Sequence, residues 1–201
     1  HMVDRPQGAN TGMMVRQDWL DKYNIETPVT FDDWKNMLTV FKDNEPNAAN
    51  GPLWMAATGQ FFTSSLIAGY DTGAPSAERF IQINGKVKAS VLQPGFKEYV
   101  TMLNDWYNSG LISKDFTSET APLTFIGSRA KVLNGEFGAF FDCYVFMPIY
   151  QASATDSLKV VAIQDPVRAK GDVAHLRQGN NWVRPENSLA ITTACKDMEL
   201  A

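Results

Sequence analysis

The sequence predicts a mixed α/β fold, because short apolar runs of strand length alternate with stretches whose apolar residues recur at helical spacing. A second indication is the dipeptide Asn84-Gly85, which separates two runs of alternating apolar and polar residues and is typical of a two-residue hairpin turn. A third is the polar turn Thr58-Gly59-Gln60, which connects a strand-like run to a helical pattern. Open α/β sheets bind their ligands beside turns of this kind.

Composition narrows the function before any motif is considered. The chain of 201 residues is 44% hydrophobic and 20% charged, which favours a folded core over disorder. Its 18 basic and 22 acidic residues give a net charge of −4 without a basic block, so we expect no nucleic-acid partner. No apolar window approaches the roughly 20 residues of a membrane helix. The two cysteines, Cys143 and Cys195, form no CxxC motif, which leaves free thiols and a single bridge both open.

The first half of the chain predicts two strands and two helices. Met13-Met14-Val15 forms a short strand that runs into a helix over residues 16–23. Thr30 is the predicted N-cap of the second helix, whose apolar residues recur at helical spacing to about Lys42. A polar loop over residues 43–51 then precedes a buried strand over residues 52–57.

The second half begins with the hairpin, whose predicted strands cover residues 80–83 and 86–91. A helix starts at Pro94 and stops at Gly110, since proline suits the first helical turn and glycine the residue after the last one. Its predicted core-facing residues are Phe96, Val100, Leu103, Trp106 and Tyr107.

Further elements follow to the end of the chain. A short helix covers residues 128–134, residues 137–141 form an apolar strand, and Asp142 begins a new helix directly after that strand. The remaining predictions are a strand over residues 158–163, an irregular loop over residues 165–181 and a last strand over residues 188–192.

Four stretches, in order, resemble the bacterial extracellular solute-binding proteins, the capture subunits of ABC importers. They are MVRQDWLDK (14–22) with PVTFDDW (28–34), LNDWYNSGLI (103–112), GEFGAFF (135–141) and LAITT (189–193). Each stretch consists of common helix and strand residues, so the specificity comes from their shared order. The resemblance covers most of residues 12–195.

The resemblance implies a periplasmic-binding-protein-like lobe, with a mixed sheet flanked by helices. Members of this family have two such lobes, trap a ligand between them and are usually far longer than this chain, so we expect one lobe here. Residues 1–12 are a tag remnant, His1-Met2, and a hinge-proximal lead; residues 13–195 are the lobe; residues 196–201 start a truncated helix. The family also implies a carbohydrate ligand, an ABC permease partner through the full-length parent, export to the cell surface by lipid anchoring or to the periplasm, and a monomer.

Candidate ligand-binding residues are those predicted beside strand ends, because sugars bind to aromatic faces and to a few polar groups that reach their hydroxyls. Tyr144, with Asp142 before it, occupies the predicted helix start where related binders present an aromatic residue; ordinary packing is the alternative. Trp182 lies in a polar, glycine-containing loop, where it either contacts ligand or covers an apolar edge. Arg184 can add a charged contact or remain solvated.

Polar turns supply the other candidates. Thr58 and Gln60 combine backbone N–H groups at a helix start with an amide side chain, and Ser128 offers a smaller version of this arrangement. Plain helix capping is the alternative for all three. Four tryptophans are assigned to the core instead, because they lie at helical spacing or inside an apolar run: Trp19, Trp34, Trp54 and Trp106.

Metal binding and catalysis are less well supported. Residues 43–54 resemble a calcium loop in their alternating oxygen side chains, but the sixth position is Ala48 instead of glycine and the twelfth is Trp54 instead of glutamate. We therefore expect no metal and no cofactor. The only native histidine is His175, and no GxSxG, HExxH or phosphate-binding glycine motif occurs.

Two alternative functions stay open. In a carbohydrate-active hydrolase fragment, two of the carboxylates Asp115, Glu136 and Asp142 would form the acid pair, although the sequence gives no separation between them. In a peptide or metabolite binder on the same scaffold, Asp142 and Arg184 would matter more than the aromatic residues. The preferred prediction is reversible capture of a carbohydrate, without bond chemistry, as two lobes close.

Overall fold

The computed structural model describes residues 11–55, 64–72, 80–115, 130–143, 146–153 and 158–174. All of them lie in one compact unit, residues 10–177. The predicted lobe bounds, 13–195, stay a prediction. In chain order the elements are β1 (Thr11–Arg16), α1 (Gln17–Lys22), α2 (Phe31–Asn44), β2 (Leu53–Trp54), α3 (Ser64–Ile67), β3 (Phe80–Ile83), β4 (Lys86–Ala89), α4 (Pro94–Asn108), β5 (Ala139–Cys143), α5 (Met147–Ala152) and β6 (Val160–Ile163).

Four strands form a mixed sheet in the order β2-β5-β1-β6, and β3 pairs with β4 in a separate hairpin. β1 is antiparallel to both of its neighbours, whereas β2 and β5 are parallel. The carboxyl ends of β2, β5 and β6 therefore share one edge with the start of β1, where Thr11 pairs with Cys143 and Met13 with Ile163. We call this the carboxyl edge; the opposite edge, where β1 ends at Arg16 and β5 begins at Ala139, is the far edge.

One further segment lines the sheet beyond β2. Ile112 forms a parallel bridge with Leu53. The Leu53 N–H donates to the Leu111 carbonyl at 3.0 Å, and the Ser113 N–H donates to the Leu53 carbonyl at 2.8 Å. Ser113 therefore lies one residue beyond this bridge, in the direction in which β2 runs.

The core lies on both faces of the sheet. Met14 and Val15 of β1 are 0% exposed, which is typical of a strand covered on both sides. The rings of Trp19 and Phe41 meet edge to face with centroids 5.1 Å apart, which connects α1 to α2. The assignment of four tryptophans to the core is confirmed, because all four are buried: Trp19, Trp34, Trp54 and Trp106.

The predicted hairpin is confirmed in its register. Phe80 pairs with Ala89 and Ile83 with Lys86, which leaves two residues for the turn. Asn84 and Gly85 have φ angles of 50° and 77°, the positive values that a type I′ turn requires at both central positions.

The core face of α4 differs from the prediction at one position. Val100 is 46% exposed, whereas Tyr99 is 4% exposed. The buried stripe follows Gly95, Tyr99 and Trp106, spaced by four and then seven residues. A helical pattern alone leaves the centre of such a stripe uncertain by one residue, since Val100 and Tyr99 are both apolar enough to fit it.

The predicted N-cap of α2 forms a reciprocal capping box. Thr30 Oγ1 accepts from the Asp33 N–H at 3.2 Å, and Asp33 Oδ2 accepts from the Thr30 N–H at 2.9 Å. The hydrogen bond from the Thr30 backbone holds the pKa of the Asp33 carboxyl below its usual value of 3.8.

This lowered pKa predicts how the cap responds to acid. Because the folded-state pKa of Asp33 lies below the unfolded value, the carboxylate stabilises the fold fully above pH 3.8 and loses this contribution as the pH falls toward the folded pKa. Asp33→Asn should therefore destabilise the chain at neutral pH, and the difference from the native chain should shrink in acid. Urea unfolding at pH 7 and pH 3 measures it; an equal difference at both values would contradict the assignment.

Candidate functional site

The carboxyl edge is the place where the fold gathers strand ends. β2, β5, β6 and the Ile112 bridge all run toward it. In open α/β sheets the crevice outside such carboxyl ends is the usual position of a ligand. Two undescribed segments begin close after strands that run toward this edge: residue 56 comes two residues after the end of β2, and residue 144 directly follows β5.

Asp142 lies in strand β5, so the prediction that it begins a helix is wrong. Its Cα is opposite Gly12 of β1, and α5 begins only at Met147. The strand continues past the apolar run because Cys143 still pairs with Thr11. Thr11, the partner that extends the strand, lies 132 positions from Cys143 in sequence. The local pattern of apolar residues therefore cannot indicate this pairing.

The Asp142 side chain is buried instead of facing an open cleft. Asp142 and Tyr150 are each 2% exposed, and the Tyr150 hydroxyl donates to Asp142 Oδ2 at 2.7 Å. The Tyr150 ring also packs on Phe140 with centroids 5.3 Å apart. This contact fixes α5 on β5, and a role of Asp142 as a direct ligand contact stays a prediction.

The other six candidate residues lie outside the described part of the chain. So do the predicted last strand at 188–192, Cys195 and His175. Their roles stay predictions. The six are Thr58, Gln60, Ser128, Tyr144, Trp182 and Arg184.

Two buried polar residues on segments that run toward the carboxyl edge are absent from the candidates that the sequence predicts. Ser113 is 3% exposed and follows the bridge at Ile112, and Asp165 is 9% exposed and follows β6. The sequence does indicate Asp165, because this residue comes just after an apolar strand-like run, the position that the sequence also predicts for Asp142. The sequence does not indicate Ser113, because the bridge before it is a long-range contact.

Two cavities lie away from this edge. One of about 630 Å³, at the far edge, is lined by Arg16, Asp18, Lys22 and Glu45 among others. Its buried guanidinium is held by the Asp18 carboxylate at 2.6 Å, so its charge is balanced within the protein. The other, of about 760 Å³, lies between α2 and α4.

The cavity between α2 and α4 offers little to a sugar. Its aromatic floor consists of Phe31, Tyr70 and Trp106, which are at most 8% exposed and therefore present no open ring face. Burial raises the pKa of Tyr70 to about 12, so its hydroxyl stays neutral at physiological pH. On the rim, Lys35 Nζ pairs with Asp105 Oδ2 at 2.7 Å.

Within the described ranges, no three His, Cys, Asp or Glu side chains are grouped so as to hold a metal ion. None of the helices that the structure describes is both long and apolar enough to cross a membrane.

The sequence of the chain is similar to those of two curated proteins. Over 198 residues the chain is 26% identical to the fructooligosaccharide ABC transporter substrate-binding protein FusA of Streptococcus pneumoniae serotype 4 (strain ATCC BAA-334 / TIGR4), covering 96% of this chain and 35% of FusA. The chain is related to ABC-transporter substrate-binding proteins. A second relative, Lipoprotein LipO of Bacillus subtilis (strain 168), is 30% identical over 113 residues, which are 52% of this chain and 22% of LipO. No family model matches the chain.

Solved structures of substrate-binding proteins share the fold of this chain. An EF-hand mutant of FusA in complex with fructo-nystose superposes with a TM-score of 0.58 at 25% identity, covering 68% of this chain and 28% of that one. The alginate-binding protein AlgQ2 without calcium ion has a TM-score of 0.62 at 22% identity, covering 79% and 33%. The predicted periplasmic-binding-protein-like α/β fold is confirmed.

The relatives also bear on size and on catalysis. The chain spans 35% of the length of FusA and 22% of LipO, so it corresponds to part of a longer relative, as a single lobe would. FusA and AlgQ2 are named as binding proteins, not as enzymes.

Proposed function

We propose that the chain is part of a solute-binding protein that captures a carbohydrate and delivers it to an ABC importer. The relation to FusA supports this most directly, because it extends over 96% of the chain and FusA is named for fructooligosaccharides. Binding is reversible and breaks no bond. Export to the cell surface or periplasm, a lipid anchor, a monomeric state and contact with a permease through the full-length parent belong to the same proposal; LipO is named a lipoprotein.

The sugar binds outside the carboxyl edge in this proposal. Tyr144 follows Cys143, the last residue of β5, and Thr58 follows the end of β2 by four residues. We propose that both residues contact the sugar there, because each follows its strand within a few residues and an extended chain spans at most about 3.6 Å per residue. Gln60 shares the second segment, and Trp182 and Arg184 complete the proposed contacts together with Ser128.

One lobe supplies one wall of such a site. Since two-lobed binders close around a ligand, a single wall lacks both the opposing contacts and the closure. The chain covers only 35% of FusA. We therefore expect the 201-residue chain to bind sugar weakly and a longer protein containing both lobes to bind it much more tightly.

A thermal-shift panel tests the proposed function. The chain is heated with fructooligosaccharides, maltooligosaccharides, uronic-acid oligosaccharides, monosaccharides, amino acids and short peptides. A ligand at about ten times its Kd adds about 1.4 kcal/mol to the free energy of unfolding, so one sugar class should raise Tm while the sugar remains intact by chromatography. If only peptides raise Tm, the ligand is a peptide and not a sugar. If the sugar is converted to products, the hydrolase alternative is established.

Two variants test whether Trp182 contributes to the sugar-dependent rise in Tm. Trp182→Ala should remove most of the sugar-dependent rise and leave the ligand-free Tm nearly unchanged. Phe80→Ala is the control, because Phe80 is an aromatic residue that is 67% exposed on the separate hairpin, and its removal should change neither quantity. A large drop in ligand-free Tm with an unchanged sugar response would identify Trp182 as a core residue.

A further inference from the structure

The loop after α2 combines the pattern of a cation site with side chains that do not fit one. Counted from Asp43, oxygen side chains stand at the first, third and fifth positions: Asp43, Glu45 and Asn47. Two of the similar structures are described as an EF-hand mutant and as lacking a calcium ion. A fold related to them raises the question of whether this loop takes a divalent cation.

The second half of the loop lacks what a calcium loop needs. Such a loop has glycine at its sixth position and a glutamate that binds through both oxygens at its twelfth. Here the sixth residue is Ala48, inside the 3-10 turn Pro46–Ala48, and the twelfth is Trp54. Trp54 is 1% exposed and belongs to β2, so the backbone at that position is committed to the sheet and the side chain to the core.

Glu45, at the third position of the loop, is paired with a positive charge of the protein itself. Lys22 Nζ lies 2.9 Å from Glu45 Oε1, and the Tyr23 hydroxyl donates to the same oxygen at 2.8 Å. Glu45 raises the pKa of the Lys22 ammonium well above its ordinary value of 10.5, so the lysine stays charged at physiological pH. Lys22 is the last residue of α1 and Tyr23 is its C-cap, so the two hydrogen bonds connect α1 to the loop after α2.

The fifth position is also engaged within the protein. Asn47 Nδ2 donates to the Asn134 carbonyl at 2.9 Å, which connects the loop to the segment before β5. Of the three oxygen-bearing side chains at the first, third and fifth positions, two thus hold neighbouring elements of the far edge together: Glu45 and Asn47.

We infer that this loop is cation-independent: the Lys22 ammonium takes the place of a divalent cation beside Glu45, and the loop binds no Ca²⁺. The inference concerns the far edge and does not depend on the proposed sugar site. Its readouts involve no sugar, so its failure and the failure of the proposed function are distinguishable.

Calcium titration of the chelator-treated chain tests the inference. Thermal unfolding is measured in EDTA and in millimolar Ca²⁺, with equal ionic strength set by NaCl and with Mg²⁺ as a second cation. We expect the same Tm in all conditions and no saturable uptake of Ca²⁺ by calorimetry. A Ca²⁺-specific rise in Tm, or stoichiometric uptake that Asp43→Ala abolishes, would overturn the inference.

Variants at Lys22 test the role of the ammonium separately. Lys22→Met keeps the aliphatic stem and removes the charge, and we expect Tm to fall by about 2 °C, since partly exposed ion pairs contribute up to about 1 kcal/mol. Lys22→Arg should restore most of the loss, and Ca²⁺ should not restore it. Equal Tm values for Lys22→Met and the native chain, or rescue by Ca²⁺, would show that the lysine does not play this part.

Discussion

Gly51→Ala is expected to lower the free energy of unfolding by about 3 kcal/mol, through backbone strain and overpacking together. Gly51 has a φ of +118°, a region that residues with a side chain rarely adopt. A Cβ at this position would also meet the backbone of Ile112 and Ser113. That backbone cannot move away without breaking the bridge between Ile112 and Leu53.

A second glycine separates the two causes. Gly85 has a φ of +77° in the exposed hairpin turn, and a Cβ there would meet nothing within 4 Å. Gly85→Ala therefore adds strain without a clash and should cost about 1 kcal/mol. Urea unfolding of both variants measures the difference, and equal losses would show that the close approach at Gly51 contributes nothing.

Tyr150→Phe is expected to lower the free energy of unfolding by about 2 kcal/mol, because removing one partner of a buried hydrogen bond costs about 1–3 kcal/mol. The hydroxyl that is removed donates to Asp142 Oδ2, and both residues are 2% exposed. Water cannot easily replace the lost donor at such a site. Tyr23→Phe is the matched control, because its hydroxyl also donates to a carboxylate, that of Glu45, in a less buried position.

The same pair tests the predicted ligand role of Asp142. Asp142→Asn keeps the shape of the side chain and one acceptor oxygen, but introduces an amide NH₂ group where the buried carboxyl oxygen was. Because this group is placed among buried partners that fit an acceptor, we expect reduced stability, and because the side chain is buried we expect sugar affinity within about twofold of the native chain, a difference near 0.4 kcal/mol. A large loss of affinity at unchanged stability would instead establish Asp142 as a direct contact.

Local signals predicted those parts of the fold that depend on neighbours in sequence. Asn84-Gly85 fixed the hairpin because few residues adopt positive φ at both turn positions. Thr30 identified the start of α2 because its cap bonds reach only three residues ahead. The burial of Trp34 followed from apolar spacing within the same helix.

Features that depend on distant partners could not be predicted in this way. β5 ends at Cys143 because of its pairing with Thr11, which made the predicted helix start at Asp142 wrong. The strand predicted over residues 52–57 pairs only at Leu53–Trp54 in the described chain. The candidate site could not be predicted for the same reason, since β2, β5 and β6 run toward one edge only through their pairing in the sheet.

The central claim is that a sugar binds outside the carboxyl edge. An NMR titration of the ¹⁵N-labelled chain with sugar tests this claim most directly. With a fructooligosaccharide such as kestose, the sugar of a solved FusA complex, saturable shifts should appear at the backbone amides of Gly12 and Met55, at the carboxyl edge. The amides of Lys22 and Asn47, at the far edge, should not move. Shifts confined to the far edge, or none with any sugar of the panel at millimolar concentration, would contradict the account.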